Sequence, residues 1–201
     1  ELEGTITIGG GELKTVDYVC EKMAEFQKLY PKVFFNFNTT TSDIIKDQMD
    51  KGLLDIGILL DPIEIDRYDY FRLPVTENWC ALIHPDSNLA KKDFIEPSDL
   101  LNENIILPRR SNIKNELSSW FGKDITKLNI VATHNLNSNT AVMVSKNVGT
   151  ALTIETELIN SFYGIKVLKL KPELTARTVV AWKKNIPMNS ATTRFIDFLR
   201  E

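Results

Sequence analysis

Within its first sixty residues this chain alternates strand, helix, strand, helix, strand, and that alternation restricts it to a mostly parallel sheet with helices on its faces. Thr5-Ile6-Thr7-Ile8 alternates polar and apolar before Gly9-Gly10-Gly11, which reads as a strand running into a turn. Val16, Val19, Cys20, Met23, Phe26 and Tyr30 then recur at helical spacing until Pro31 stops them. Residues 33–38 are β-branched and aromatic. Thr39-Thr40-Thr41-Ser42 supplies N-cap candidates for a helix carrying Ile44, Ile45 and Met49, and Gly52 is its natural stop. Leu54-Asp55-Ile56-Gly57-Ile58-Leu59 is mostly apolar, as a strand covered on both faces should be.

The second part of the chain repeats this logic. Residues 79–83, 105–107, 129–133, 150–154, 167–170 and 178–182 read as strands, and residues 97–100, 117–121, 139–145 and 191–199 as helical segments. A second α/β lobe is expected, with no internal repeat or low-complexity segment.

Composition removes several function classes. With 24 basic against 27 acidic side chains the net charge is -3, so no positive field exists to hold a phosphate backbone, and DNA is expected to be met only through another domain. No apolar run reaches the roughly 20 residues needed to cross a bilayer. The opening Glu1-Leu2-Glu3-Gly4 resembles neither a translation start nor a signal peptide, so the N-terminus reads as cut from something longer. Cys20 and Cys80 are expected to be small core residues in a reducing, cytoplasmic compartment. With only His84 and His134 beside them they form no metal-ligand spacing, and no cofactor motif is present. No nucleophile motif occurs either, and Gly9-Gly10-Gly11 lacks the Lys-Ser/Thr ending of a phosphate loop, so no enzymatic activity is expected.

At this level of detail the chain resembles the effector-binding domain of LysR-type transcriptional regulators. The resemblance runs through Gly4-Thr5-Ile6-Thr7-Ile8-Gly9, Phe26-x-x-x-Tyr30-Pro31-x-Val33, Gly52-Leu53-Leu54-Asp55-Ile56-Gly57-Ile58, Glu77-x-Trp79, His84-Pro85, Ser98-Asp99-Leu100, Val148-Gly149-Thr150-Ala151-Leu152 and Phe195-Ile196-Asp197-Phe198-Leu199, in the family's order. It implies two Rossmann-like lobes joined by two crossing strands, similar to type 2 periplasmic binding proteins, with a small-molecule effector in the cleft between lobes. The crossings are expected near Leu73-Pro74-Val75 and Leu170-Lys171-Pro172. Lobe I is then residues 1–75 and 172–201, and lobe II is residues 76–171. The resemblance also implies a winged helix-turn-helix DNA-binding domain N-terminal to this segment. Its members form homodimers or homotetramers, paired side by side through the first helix of lobe I, here residues 16–29.

Effectors in such folds meet the carboxyl ends of strands and the starts of the following helices. Four loops qualify: Gly10-Gly11-Glu12, Thr39-Thr40-Thr41-Ser42, Pro108-Arg109-Arg110-Ser111-Asn112 and Asn135-Leu136-Asn137-Ser138-Asn139. The second resembles the family's hydroxyl-bearing effector loop. Gly11, Glu12, Thr39, Thr40, Thr41, Arg109, Ser111 and Asn137 are the candidate effector-binding residues. Helix-start amides with Thr and Ser hydroxyls suit an anionic oxygen, hence a carboxylate-bearing effector.

Each of these residues also has a structural reading. A hydroxyl among residues 39–42 can simply cap its helix, and the glycines can simply turn. Glu12 implies either a cationic group on the effector or a side chain turned away. Arg109 and Arg110 can be a solvated pair; one of the two facing the cleft is the expectation. Thr193-Arg194-Phe195 resembles a short motif of prephenate dehydratases, but it falls in an amphipathic helix. The leading function is effector sensing, and the alternative is a transport-type solute-binding protein of the same fold.

Overall fold

The computed structural model describes residues 1–110, 112–122 and 125–201. The chain opens with β1 (Glu3–Gly10), α1 (Thr15–Leu29), β2 (Lys32–Thr39), α2 (Ser42–Asp50) and β3 (Ile56–Leu60). β1 lies between β2 and β3 and is parallel to both, as a strand–helix–strand repeat demands. Asp55 locks β3 to β1: its carboxylate accepts from the Thr7 amide and hydroxyl, both at 2.8 Å, and its own amide donates to the Thr7 hydroxyl at 2.9 Å.

Two glycines let α2 sit close on this sheet. A Cβ at Gly57 would lie 2.8 Å from Ile45 Cγ2 and 3.0 Å from the Met49 thioether, and one at Gly9 would lie 2.5 Å from Leu54 Cδ1. The helix ends as its sequence predicts. Gly52 takes the left-handed conformation at φ 72, and the amides of Gly52 and Leu53 close on Met49 and Gln48 carbonyls.

The sixteen-residue β4 (Tyr68–Ile83) then carries the chain out of this unit. In the second unit follow β5 (Phe94–Ile95), β6 (Ile105–Pro108), α3 (Ile113–Phe121), β7 (Ile130–His134), α4 (Asn137–Ser145), β8 (Thr150–Ile154), the one-turn α5 (Glu157–Asn160) and β9 (Lys166–Leu170). Short 3-10 turns cover Asn88–Lys91, Pro97–Leu100 and Ile125–Lys127. β10 (Thr175–Lys183) returns to the first unit, and α6 (Ser190–Arg200) closes it. The chain divides into Glu1–Thr76 with Arg177–Glu201 and, separately, Glu77–Ala176. The second division falls on β10.

In the first unit the strand order is β2-β1-β3-β10, with β10 antiparallel to β3. Alternate residues feed two cores. Ile6, Ile8, Ile58 and Val180 pack under α1 and α6 with Phe26, Phe195 and Phe198, whereas Leu59, Val179 and Ala181 pack under α2 with Ile45 and Met49. Phe26 meets Phe195 and Phe198 edge-on at centroid distances of 5.1 and 5.4 Å. Cys20 does not join this core. It is exposed on α1, because the buried stripe runs through Thr15, Val19 and Phe26 and leaves Cys20 on its flank.

The second unit orders its strands β5-β9-β4-β8-β6-β7. The β6 pairings with β7 and β8 are parallel, and those of β4 with β8 and β9 antiparallel. Cys80, Leu82, Ile106, Ala141, Val144 and Ala151 form one of its buried clusters. Burial raises the Cys80 thiol well above its ordinary pKa, so this cysteine is an inert core residue.

Candidate functional site

The parallel register fixes where the first unit's chemistry gathers. Gly10 pairs with Thr39, so β1 and β2 finish side by side, and the Thr40 amide donates to the Gly10 carbonyl at 3.0 Å. The Gly11-Glu12 turn thereby lies against the threonine loop; a Cβ at Gly11 would lie 3.7 Å from the Thr40 carbonyl. Thr39 is exposed, while Gly11, Glu12, Thr40 and Thr41 are half-buried. Five of the expected effector contacts thus stand together.

Thr41 is the N-cap of α2, with extended backbone at φ -84 and ψ 158. Its carbonyl accepts the Ile45 amide at 2.9 Å, but its hydroxyl makes no capping bond. The capping reading therefore does not account for this hydroxyl. The arrangement joins threonine hydroxyls to the positive end of a helix, which is suited to an anionic oxygen. Glu12 sits on the same loop and is not without a partner.

In the second unit Pro108, His134 and Ile154 end β6, β7 and β8, and α3 and α4 start beyond the first two. The arginine pair divides its roles. Arg110 forks onto Glu116 at 2.6 and 2.9 Å and lies over the Trp79 ring at 5.5 Å, so its guanidinium is committed within the unit. Arg109 is exposed, its amide bonded to the His134 carbonyl at 2.7 Å, and its side chain has no ion-pair partner among the described residues. Ser111 lies outside the described residues.

Asn137 is buried with both ends of its amide turned onto β8. Its Nδ2 donates to the Ile154 carbonyl at 3.0 Å, and its Oδ1 accepts from the Thr153 hydroxyl. This side chain pins the first turn of α4 to the end of β8.

His134 was absent from the sequence expectation, although one signal for it existed. The Thr150 amide donates to the Asn104 carbonyl at 2.8 Å, which sets the phase of the β6–β8 ladder. Continued by the parallel rule, the amide of residue 108 should donate to the Leu152 carbonyl, but residue 108 is a proline. His134 Nε2 fills the vacancy at 3.1 Å. Nε2 must carry the proton to do so, and Nδ1 is left as a buried acceptor with no hydrogen-bond partner. Burial, and next the field of Arg110, hold the imidazole below its ordinary pKa against the opposing pull of the Leu152 bond.

Among the described residues no three His, Cys, Asp or Glu side chains stand close enough to hold a metal. The Thr193-Arg194-Phe195 tripeptide is absorbed by α6: Thr193 bonds the Asn189 carbonyl, Arg194 pairs with Glu201 and the Tyr30 hydroxyl, and Phe195 is fully buried.

A family model described as the LysR substrate binding domain matches residues 1–201. The chain is 27% identical over 104 residues to the uncharacterized HTH-type transcriptional regulator YvbU of Bacillus subtilis (strain 168), a match covering 52% of this chain and 35% of YvbU. It is 19% identical over 203 residues to the uncharacterized HTH-type transcriptional regulator YfeR of Shigella flexneri, covering 100% of this chain and 66% of YfeR. The chain thus spans less than two thirds of the length of either relative. Among solved structures, the effector binding domain of QuiR in complex with shikimate superposes with a TM-score of 0.84 at 20% identity, covering 98% of this chain and 96% of that one. HinK, a LysR family transcriptional regulator from Pseudomonas aeruginosa, superposes at 0.79 with 19% identity, over 100% of this chain and 71% of that one. The regulatory domain of CcmR from Synechocystis PCC6803, solved with 2-PG, does so at 0.76 with 18% identity, over 98% and 96%. These likenesses show the fold, which is α/β and of the periplasmic-binding-protein type. With all of its residues matched by the family model, this chain belongs to the LysR substrate-binding-domain family.

Proposed function

We propose that this chain is the effector-sensing domain of a LysR-type transcriptional regulator and that it binds a small molecule bearing a carboxylate. The observation that carries this reading is the Thr41 hydroxyl at the start of α2, which makes no capping bond and belongs to a loop whose Thr40 carbonyl lies against the Gly11 turn. A carboxylate there accepts hydrogen bonds from hydroxyls and helix-start amides and gains from the helix dipole. Shikimate, the ligand of the QuiR complex, carries a carboxylate, which agrees with this choice. Thr39, Thr40, Thr41 and Gly11 supply the anion contacts, and Glu12 on the adjoining turn disfavours a second anionic group. In the second unit Arg109 is the available cation, Ser111 a further hydroxyl, and Asn137 acts by positioning the start of α4.

The domain performs no chemistry of its own. It works in the cytoplasm as a homodimer or homotetramer, paired through the α1 region, and reaches DNA through a winged helix-turn-helix domain in the parent protein. Effector binding acts by preferring one of two arrangements of that assembly.

A thermal-shift screen against metabolic acids, amino acids and aromatic carboxylates tests the reading. A ligand present at 100 times its dissociation constant stabilises the native state by about 2.7 kcal/mol. The expected hits are carboxylates whose shift disappears in Thr40→Ala and Thr41→Ala. Hits confined to neutral or cationic compounds, or hits indifferent to both substitutions, contradict it.

A further inference from the structure

The first unit carries a concavity of about 420 Å³ with no threonine-loop residue in its wall, lined by Tyr18 of α1, Phe71 and Arg72 of β4, Arg177 of β10, and Leu199 and Arg200 of α6. That volume lies within the range of small-molecule sites, roughly 300–1,000 Å³. Its charge is unusual: three guanidinium groups line one hollow. Arg72 is neutralised by Asp61, whose carboxylate accepts from its Nε at 2.7 Å. Arg177 and Arg200 have no carboxylate partner among the described residues. Glu201 also lines the hollow, its carboxylate engaged by Arg194 at 2.8 Å.

Arg200 leans on two aromatic rings rather than on an acid. Its guanidinium lies 4.8 Å from the Phe71 ring centroid and 5.5 Å from that of Trp182. Arg200 is exposed, and cation–π contacts of this kind bias its planar fork toward the two rings. Two like charges facing one hollow repel, and a bound anion removes that repulsion.

From these observations we infer that the groove is a second ligand site, distinct from the threonine loop, which takes a small organic acid with an apolar body. Arg177 and Arg200 hold the carboxylate, and Tyr18, Phe71 and Leu199 cover the apolar part. A bare phosphate fits less well, because its charge is more strongly hydrated and it leaves these apolar walls unused. The occupant touches both β4 and β10, the two strands that run from one unit into the other.

Titration of the 201-residue chain with 4-fluorophenylacetate, followed by ¹⁹F NMR, tests this. The acid should broaden and shift on binding while 4-fluorophenylacetamide does not. Arg177→Gln and Arg200→Gln should each weaken binding at least tenfold, and Arg200→Lys, which keeps the charge but loses the planar stack, should fall between. Thr41→Ala should leave in place the binding that Arg177→Gln and Arg200→Gln weaken, even where it removes a share held at the threonine loop, which separates this site from the first. Unaltered melting temperatures in the variants exclude loss of fold, and the Lys variant still decides the matter if a Gln variant melts early. The inference is overturned if the probe does not bind at millimolar concentration or if acid and amide bind alike. It is also overturned if inorganic phosphate displaces the probe as well as unlabelled phenylacetate does, or if Thr41→Ala abolishes binding and the arginine variants do not.

Discussion

At the scale of single residues, some polar groups of the two loops are already bound within the fold and others are not. Arg110 is bound to Glu116 and Asn137 to β8, so neither has a spare charge or amide face, whereas Thr41 makes no capping bond and Arg109 no ion pair among the described residues. Thr41→Ala should therefore cost effector affinity about tenfold or more while shifting the melting temperature little, because no capping bond is lost; a large drop in melting temperature would mean the hydroxyl is structural after all. His134 gives a pH dependence of known sign. Its folded pKa lies below the unfolded value of 6.5, so the unfolded chain binds the proton first and stability falls as pH drops through and below 6.5. Melting temperatures measured from pH 7.5 to 5.0 should fall in the natural chain more steeply than in His134→Gln, which keeps an N–H but does not titrate. Parallel curves for the two proteins would contradict this.

At the scale of elements, the placement of α2 decides the first site. Gly57 and Gly9 admit the helix to the sheet, and the helix carries Thr41 at its start. Gly57→Ala puts a methyl carbon 2.8 Å from Ile45 Cγ2, so it should cost about 1–3 kcal/mol in a denaturation titration and also weaken effector binding by displacing α2. Unchanged stability would show that the sheet and helix can part without consequence. α6 makes a separate contribution. Phe195→Ala empties the centre of the aromatic cluster and should cost about 3–5 kcal/mol.

These elements also mark how far the sequence could be read. β3 and α2 were legible because an apolar run bounded by Gly52 and a hydroxyl run before Ile45 are local signals. The first half of β4 came only from the family resemblance, since its own pattern from Tyr68 to Thr76 breaks alternation and contains Pro74, and the two-residue β5 and one-turn α5 are too short to carry a period. The threonine loop was visible as a candidate site for the same local reason. The Arg110–Glu116 fork, the amide of Asn137 on β8 and the replacement of a missing proline N–H by His134 depend on which strands become neighbours. Cys20 was misread because α1 buries a narrower stripe than its apolar spacing suggested.

At the scale of the whole molecule, the family assignment and the reading of the site stand on different observations. The match over residues 1–201 and the superpositions establish the family and the fold. Sensing of a carboxylate is argued from the chemistry of residues 39–44 and their neighbours. Net charge is -3, so the isolated chain should show no affinity for duplex DNA at physiological salt, and a gel-shift titration with the chain alone should leave the duplex unshifted. A salt-sensitive shift by this chain would contradict the division of labour between sensing and DNA binding.

Recognition of an anion at the start of α2 is tested most directly by an amide-resolved ¹H–¹⁵N NMR titration of the chain with the strongest carboxylate from the thermal-shift screen. The account predicts that the largest shifts fall on residues 40–44 and Gly11, and that replacing the carboxylate of the ligand by its carboxamide removes them. Shifts of equal size with the carboxamide, or shifts that bypass residues 40–44, would contradict the claim that the start of α2 recognises an anionic effector.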